Sequence, residues 1–296
     1  MTKVYGGIEL GGTKIVCAIT DANNEILKKT RIPTESPDIT MPKIIDFFKE
    51  QQEEHELSAI GIASFGPIDL NKKSKTYGYI TVPPKLAWQH FNILGYMQKA
   101  MGDKVELVLD TDVNAAALAE GYWGNAKGLS DFIYITVGTG VGIGVVVNGK
   151  LVHGLMHPEG GHIYTPKHPD DDFTGVCPTH DNCLEGLAAG PSLKERWKVD
   201  SALDLPEDHK AWDIEAFYLG HAIVNYICTL SPMRIIIGGG VLGQKHLLAK
   251  IHKVVLEKLN GYIHKDEIIK NIDQYIVTPG LGGNAGSLGA VALVKK

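Results

Sequence analysis

The sequence predicts an α/β protein made of two similar halves with a cleft between them. One observation is a strand, a Gly/Thr turn and a second strand over residues 4–20, which read VYGGIELGGTKIVCAIT. Another is the return of this plan at residues 132–152, FIYITVGTGVGIGVVVNGKLV, about 127 positions further along the chain. The third is length, because 296 residues exceed what one hydrophobic core ordinarily supports.

The remaining elements follow from local patterns of apolar and turn-forming residues. After the first hairpin, the turn DANNE leads into a strand around Ile26 and Leu27. Further strands are predicted over 59–64, 105–110 and 234–239. Helices are predicted over 41–54, from about 113 to Gly124, near 186–197, and over 213–230, 244–259 and 284–294. Residues 153–186 are rich in loop-forming residues.

Composition excludes several classes of protein. The chain has 29 Lys and Arg against 34 Asp and Glu and a pI near 6.2, so it lacks the basic surplus that nucleic-acid binding needs. Its start shows no leader pattern and no apolar run reaches membrane length, so we expect a cytoplasmic protein without a membrane partner. Four cysteines do not form a secreted disulfide framework.

Two glycine-rich turns have the chemistry of phosphate loops, because exposed backbone N–H groups, a hydroxyl and a cation suit an anion. The first consists of Gly11, Gly12, Thr13 and Lys14, and the second of Gly138, Thr139 and Gly140. Each turn joins two strands and neither matches G-x-x-x-x-G-K-[ST], which disfavours a P-loop NTPase. Taken singly, each could be an ordinary tight hairpin, whereas as a pair they suit two contacts to one polyphosphate.

A third glycine-rich stretch, RIIIGGGVLG, contains G-x-G-x-x-G through Gly238, Gly240 and Gly243. That pattern is typical of dinucleotide-binding domains, so an NAD-dependent enzyme stays open as an alternative. The strand is the last strong one but one, which is unusual for such a domain. A glycine-rich backbone after a strand equally allows a purine ring to lie against it.

Asp110 and Asp112 stand where a strand meets the helix that begins near Val113. Each could simply cap the helix, where its dipole stabilises an anion. The end of a strand is also a suitable place for a catalytic base, and in phosphoryl transfer a base accepts the proton of the acceptor hydroxyl. Asp112 is our candidate, with Asn114 as an orienting hydrogen-bond partner.

Cys177, His180 and Cys183 are spaced C-x-x-H-x-x-C, and His162 lies upstream after two glycines. Two thiolates and two imidazoles suit tetrahedral structural zinc. The spacing alone leaves an inert loop equally open, and a disulfide between the cysteines is a weaker alternative. Three other histidines compete for the fourth ligand position: His153, His157 and His168.

Seven ordered motifs, spread over essentially the whole chain, resemble the ROK family of sugar kinases (repressor, open reading frame, kinase), in its fructokinase branch. They are GIELGGTK (7–14), SFGPIDL (64–70), TDVNAAALAEG (111–121), TVGTGVGIG (136–144), HPEGGH (157–162), CPTHDNCLEG (177–186) and IIIGGGV (235–241). The resemblance implies two actin-like, hexokinase-like (RNase H-like) domains, ATP with Mg²⁺ in the cleft, and phosphorylation of a sugar hydroxyl.

The resemblance also implies roles for single residues. Asp112 corresponds to the general base. The sugar-binding residues would be Gly66, Asn114, Glu159, His162 and Glu185. The nucleotide would contact Gly11, Gly12, Thr13, Lys14, Thr136, Gly138, Thr139, Gly140, Pro191, Gly238, Gly239, Gly240 and Val241. Structural zinc would bind His162, Cys177, His180 and Cys183. This interpretation assigns the G-x-G-x-x-G stretch to ATP.

Two residues depart from the commoner family pattern. Glu9 stands where many members have Asp, which lengthens the carboxylate that would place magnesium. The commoner pattern is C-x-C-G-x-x-G-C, and here His180 must supply what its middle cysteine otherwise would.

The resemblance further implies a smaller N-terminal domain of residues 1–112 with the C-terminal helix 284–296, a larger domain of residues 113–283, and a homodimer. The stretch YGYITVPPKLAWQHFN and the SFGPID loop favour ATP-dependent conversion of D-fructose to fructose 6-phosphate. Mannose, glucose and an N-acetylhexosamine stay open, because a few hydrogen bonds separate hexoses. A sugar-sensing regulator of the same family is the alternative from another class, although the chain enters its first phosphate strand at Val4.

Overall fold

A computed structural model describes residues 2–83 and 85–295 and contains two five-stranded sheets. The strands are β1 (Thr2–Leu10), β2 (Lys14–Thr20), β3 (Ile26–Pro33), β4 (His55–Ser64), β5 (Glu106–Thr111), β6 (Phe132–Val137), β7 (Val141–Val147), β8 (Lys150–Leu151), β9 (Arg234–Gly238) and β10 (Ile276–Val277). The helices are α1 (Pro37–Glu54), α2 (Ile93–Met101), α3 (Asp112–Trp123), α4 (Leu184–Ala188), α5 (Gly190–Trp197), α6 (Ala211–Leu230), α7 (Lys245–Leu259), α8 (Asp266–Ile269), α9 (Ile272–Tyr275) and α10 (Ala285–Ala292).

The two sheets have the same topology, which confirms the duplication predicted from the hairpins. The first has the strand order β3-β2-β1-β4-β5 and the second the corresponding order β8-β7-β6-β9-β10. Numbered along the chain, the first strand of each sheet (β1 or β6) pairs antiparallel with the second (β2 or β7) and parallel with the fourth (β4 or β9). The fourth and fifth strands of each sheet are also parallel. The predicted α/β class with two related halves is therefore confirmed.

The chain forms two compact units. The first comprises the chain up to Lys127, the segment Leu151–His157 and the C-terminal part from Gly280, and the second comprises Gly128–Lys150 and Pro158–Pro279. This division differs from the predicted boundary at residue 112, because α3 packs in the first unit against α10. The units are also nearly equal in length, unlike the predicted smaller and larger domains.

In the first unit, β4 shows how the sheet divides its two faces. Ile60 and Ile62 belong to the apolar core that also contains residues of α1 and α2. The alternate residues, Gly61 and Ala63, face α10, as expected for a strand with a period of two. A side chain at Gly61 would lie 1.8 Å from the carbonyl oxygen of Ala290, so glycine is what allows α10 to pack so closely.

In the second unit, the central strand β9 is buried on both faces, since Ile235, Ile236 and Ile237 are fully inaccessible. A continuous apolar run of this kind is typical of a parallel strand covered on both sides. The helices α6 and α7 pack on each other, with Gly220 of α6 against Val254 of α7.

Most of the predicted elements are present with boundaries shifted by a few residues. The helix predicted near 186–197 is divided into α4 and α5, because Ala189 is extended (φ −72°, ψ 162°) ahead of Gly190 and Pro191. Helix α2 is not among the predicted elements; it begins after Asn92, whose side chain accepts a hydrogen bond from the Gly95 N–H. Within the part of the chain that the structure describes, no helix is long and apolar enough to span a membrane.

Candidate functional site

The predicted site residues fall into two groups, one in each unit. In the first unit they follow the ends of three neighbouring parallel strands, β1, β4 and β5. The register places Glu9 beside Ala63 and Ala63 beside Asp110, so the three strands end at one edge of the sheet. The loop of Gly11 to Lys14, the loop containing Gly66 and the start of α3 all leave this edge. The carboxyl ends of such strands are the usual place for ligand sites in α/β sheets.

Asp112 is the first residue of α3. Thr111 caps the helix by accepting a hydrogen bond from the Asn114 N–H (3.2 Å), and Asp112 Oδ1 accepts one from the Val113 N–H (2.9 Å). The pKa of the Asp112 carboxyl is raised to about 7, chiefly by burial and also by the nearby charge of Glu9, while the backbone hydrogen bonds oppose the rise. A carboxyl that titrates near neutral pH is suited to accept a proton in catalysis.

Asn114 forms a cluster with Asp110 and His153. Its Nδ2 donates to Asp110 Oδ1 (2.7 Å), and His153 Nε2 lies 2.9 Å from Asp110 Oδ2. Asn114 is fully buried, and its Oδ1 has no hydrogen-bond partner among the described residues. Sequence patterns do not predict this cluster, because His153 and Asp110 are far apart in the chain and no spacing rule connects them.

The first glycine turn is closed by a hydrogen bond from the Gly11 N–H to the Lys14 carbonyl oxygen (3.1 Å). Glu9, just before the turn, lies against the first turn of α10, where a side chain at Gly286 would meet its carboxyl group. Burial raises the pKa of Glu9, and the charges of Lys29, Lys14 and Arg31 oppose that rise. The extra methylene of Glu9 is thus accommodated by the absence of a side chain at Gly286.

The loop after β4 contains Gly66. This loop is hydrogen-bonded to the segment Leu151–His157, because the Ile68 N–H donates to His157 Nε2 (3.2 Å). His157 therefore serves this loop and is not in the cysteine cluster. Among the other competing histidines, His153 pairs with Asp110 and His168 Nδ1 accepts from the Asp170 N–H.

In the second unit, three glycine-rich stretches lie together: Thr136–Gly140, the Gly190–Pro191 turn and Gly238–Val241. The Gly190 N–H donates to the carbonyl oxygen of Gly138 (2.7 Å), and Thr136 pairs with Gly238 in the sheet. Gly239 has φ +97°, and a side chain there would meet the backbone of Val137. These contacts bring together the second predicted phosphate loop and the other residues of this unit that are predicted to contact the nucleotide, Pro191 and Gly238–Val241.

The structure brings together the four predicted metal ligands: His162, Cys177, His180 and Cys183. Their donor atoms all lie within 4.8 Å of one another. His162 Nδ1 is 3.4 Å from Cys183 Sγ and 3.8 Å from Cys177 Sγ, and His180 Nδ1 is 3.7 Å from Cys177 Sγ. Tetrahedral zinc bound at usual lengths separates nitrogen from sulfur by about 3.6 Å, so the donor set fits that geometry. Both cysteines are free thiols, so they do not form the alternative disulfide.

Glu185 links this metal cluster to the second glycine loop. Its Oε1 lies 4.0 Å from His162 Nε2, while its Oε2 accepts a hydrogen bond from the Val141 N–H (2.9 Å) and lies against Gly140. Cys183 is the N-cap of α4, the helix that carries Glu185. Glu159 precedes the short 3₁₀ turn Gly160–His162, so the two acidic residues stand next to the metal ligands in the chain.

Comparisons with known proteins show which family and which proteins this chain is similar to. The ROK family model matches residues 5–296. The fructokinase of Zymomonas mobilis is 44% identical over 98% of this chain and 96% of its own length. The fructokinase of Streptococcus mutans is 41% identical over 100% and 99%, respectively. Among solved structures, the ROK hexokinase of Thermus thermophilus superposes with a TM-score of 0.77 at 27% identity, covering 98% of this chain and 97% of that one.

Proposed function

This chain belongs to the ROK family, and from that premise we propose that it phosphorylates D-fructose with ATP, giving D-fructose 6-phosphate and ADP. The observation that carries the reaction type is Asp112, a carboxyl at a strand–helix junction whose pKa is raised to about 7. The choice of fructose rests on the two fructokinases that match over nearly their full lengths.

The proposed step is a direct transfer. The O6 hydroxyl of fructose loses its proton to Asp112 as its oxygen bonds to the γ-phosphorus, and the bond from that phosphorus to the β,γ-bridging oxygen breaks to release ADP. The nucleotide enters as its magnesium complex, in which the metal offsets charge on the phosphate oxygens. Since Asp112 is charged above its pKa, it can accept the proton at neutral pH.

The glycine loops are proposed to hold the nucleotide. Gly11–Lys14 in the first unit and Thr136–Gly140 in the second supply backbone N–H groups, and Lys14 supplies a cation. The contact between Gly190 and Gly138 supports a purine-binding surface formed by the Gly190–Pro191 turn and Gly238–Val241.

The sugar-binding role is assigned to Glu159, His162 and Glu185 in the second unit and to Gly66 and Asn114 in the first. Carboxylates and imidazoles accept or donate hydrogen bonds to several hydroxyls at once, which suits a hexose. The buried and unpartnered Oδ1 of Asn114 supports its assignment, because such an acceptor needs a donor.

Zinc is proposed as the metal of the four-residue cluster His162, Cys177, His180 and Cys183. Four protein ligands leave no open coordination position, which is typical of a structural site. When bound, zinc would stabilise the loop and so orient the His162 ring and the start of α4. His162 and Glu185 then face each other because of that loop, and the phosphoryl group does not contact the metal.

The test is ADP release by purified protein over a panel of hexoses, with Asp112→Asn alongside. Fructose should give the highest kcat/KM, and turnover that is no better than with glucose or mannose would contradict the substrate assignment. A protein that binds sugar but releases no ADP would instead be a regulator. Metal analysis of protein never exposed to added zinc should find about one equivalent per chain. Less than about one-tenth of an equivalent in active protein would rule zinc out.

A further inference from the structure

The cluster of Asp110, Asn114 and His153 has no part in the proposed function beyond the assignment of Asn114 to the sugar. We infer that His153 is a positioning residue that acts through Asp110 on the junction of β5 and α3 and so fixes the direction of the Asp112 side chain. This inference rests on the proposed function, because it gives Asp112 the role of base.

Asp110 is the centre of the cluster, and both of its carboxylate oxygens are engaged. Oδ1 accepts hydrogen bonds from the Thr111 N–H (2.8 Å) and from Asn114 Nδ2 (2.7 Å), while Oδ2 faces His153 Nε2 at 2.9 Å. Only 8% of the Asp110 side chain is exposed. A buried carboxylate with these partners stays in one orientation, because turning it would leave several groups unpaired.

Asp112 depends on this arrangement because it has little support of its own. The hydrogen bonds to its carboxyl group come from the adjacent backbone, with the Val113 N–H at 2.9 Å. Its direction is therefore set by the backbone of residues 111–114. That backbone is fixed on one side by Asp110 and Thr111 and on the other by Asn114, so a rotation of Asp110 would move the base.

His153 is the member of the cluster that comes from a distant part of the chain, the segment Leu151–His157. The hydrogen bond to Asp110 raises the pKa of His153, which favours the charged imidazolium and a charge-assisted contact. The imidazole is 38% exposed, so it is not held there by burial alone. The contact with Asp110 gives this side chain a defined position beside the base.

The test compares two substitutions at one position. His153→Phe keeps a ring but cannot donate, whereas the amide of His153→Gln can still donate to Asp110. A shift of the base of about 1 Å can cost up to about 100-fold in rate, so we expect His153→Phe to lower kcat at least about tenfold, with the KM for ATP unchanged. His153→Gln should recover kcat to within about threefold of the unsubstituted protein. If His153 were needed only for folding, the Phe and Gln variants would have the same kcat whenever their melting temperatures were equal. Recovery of kcat in His153→Gln at an equal melting temperature therefore indicates a positioning role.

The matched control is His252→Phe in the second unit. His252 is also partly buried, and its Nε2 also lies within hydrogen-bond distance of an oxygen, the carbonyl oxygen of Ile276. It should leave kcat unchanged. If His153→Phe does not fold, Asp110→Asn weakens the same contact from the other side and should lower kcat in the same way. Where all variants fold, the double variant with His153→Phe and Asp110→Asn should lower kcat no more than the more damaging of the two single substitutions does.

A kcat for His153→Phe within about twofold of the unsubstituted protein would overturn the inference, as would a loss shared equally by His153→Gln. The unsubstituted protein in the same assay reports separately on the proposed function. If it prefers another hexose, the fructose assignment fails, whereas the kcat ratios, taken with that hexose, still decide the role of His153.

Discussion

The two units share one strand order but hold their functional carboxyl groups in different ways. In the first unit, Asp112 follows a strand of the sheet directly and is oriented by hydrogen bonds from the junction itself. In the second, Glu185 stands at the start of a five-residue helix that follows the Cys/His loop, close to two of the proposed metal ligands, Cys183 and His162. The two related sheets therefore share their strand order, whereas the side chains that could act chemically come from the loops and helix starts that differ between the two units.

The largest effect in this comparison is expected from Asp112→Asn. Asparagine keeps the shape of the side chain but cannot take the proton, and loss of general-base catalysis costs on the order of 10²- to 10⁴-fold in kcat. Steady-state ADP release with fructose measures it. The fold should be unchanged, because the amide oxygen can still accept the hydrogen bond from the Val113 N–H. Near-normal turnover would show that the first unit does not supply the base.

Loss of the proposed zinc should impair the second unit selectively. Cys183→Ser removes a ligand and should lower bound zinc to less than about one-tenth of an equivalent, with a raised KM for fructose and a lower melting temperature. Metal analysis, kinetics and thermal unfolding together check this. Cys228→Ser is the matched control, since Cys228 is exposed and lies outside the cluster. Unchanged fructose kinetics in zinc-free Cys183→Ser would show that the loop needs no metal to place Glu185.

Local sequence patterns were sufficient to predict many of the features compared between the two units. The alternation of apolar residues and the Gly/Thr turns identified both hairpins, and C-x-x-H-x-x-C indicated three candidate metal ligands, which the fold brings together. Asp112 was identifiable because the end of a strand and the start of a helix are both readable locally. These features depend on residues close together in the chain, where periodicity and spacing carry information.

Long-range contacts could not be read in the same way. His153 was one of several histidines that could have completed the metal site, and only the fold places it on Asp110. The division into units differs from the predicted boundary because the packing of α3 on α10 joins residues that are more than 150 positions apart. The choice of His162 as the fourth ligand came from family resemblance, since spacing alone left four histidines open.

The pH dependence of kcat should report the environment of Asp112. Its pKa is raised to about 7, and the deprotonated form is the active base, so kcat should fall about tenfold per pH unit below pH 7. Glu9→Gln removes a negative charge that contributes to the rise, so the midpoint should move to lower pH. The matched control is Glu54→Gln, an exposed position at the end of α1 in the same unit. The position of the midpoint is the readout, and an unchanged midpoint in Glu9→Gln would contradict the coupling.

The smallest effect is expected from Glu215→Gln in α6, which should change stability and leave kcat unchanged. Glu215 is a buried acid of the second unit that, unlike Asp112, has no proposed role in the reaction. It is fully inaccessible, and neither carboxylate oxygen has a hydrogen-bond partner among the described residues. Burial raises its pKa well above the usual value, although the charge of Arg196 opposes that rise. Arg196 offsets the burial only in part, because no hydrogen bond joins it to Glu215: its Nη2 instead lies 3.2 Å from Asp171 Oδ2 and donates to the Leu187 carbonyl oxygen.

The sign of the effect follows from this raised pKa. The unfolded chain loses the Glu215 proton near the ordinary glutamate pKa of 4.5, whereas the folded chain retains it, so the contribution of Glu215 to stability declines as pH rises above 4.5. Glu215→Gln cannot titrate and should therefore gain stability relative to the unsubstituted protein between pH 5 and 7, by up to about 1.4 kcal/mol per pH unit. Urea unfolding at the two pH values measures this, and kcat should not change. A Glu215→Gln variant that is less stable at pH 7 than at pH 5, relative to the unsubstituted protein, would mean that Glu215 is charged and paired with Arg196. In that case both units would contain a buried charged carboxylate, and only Asp112 would have a catalytic use for its raised pKa.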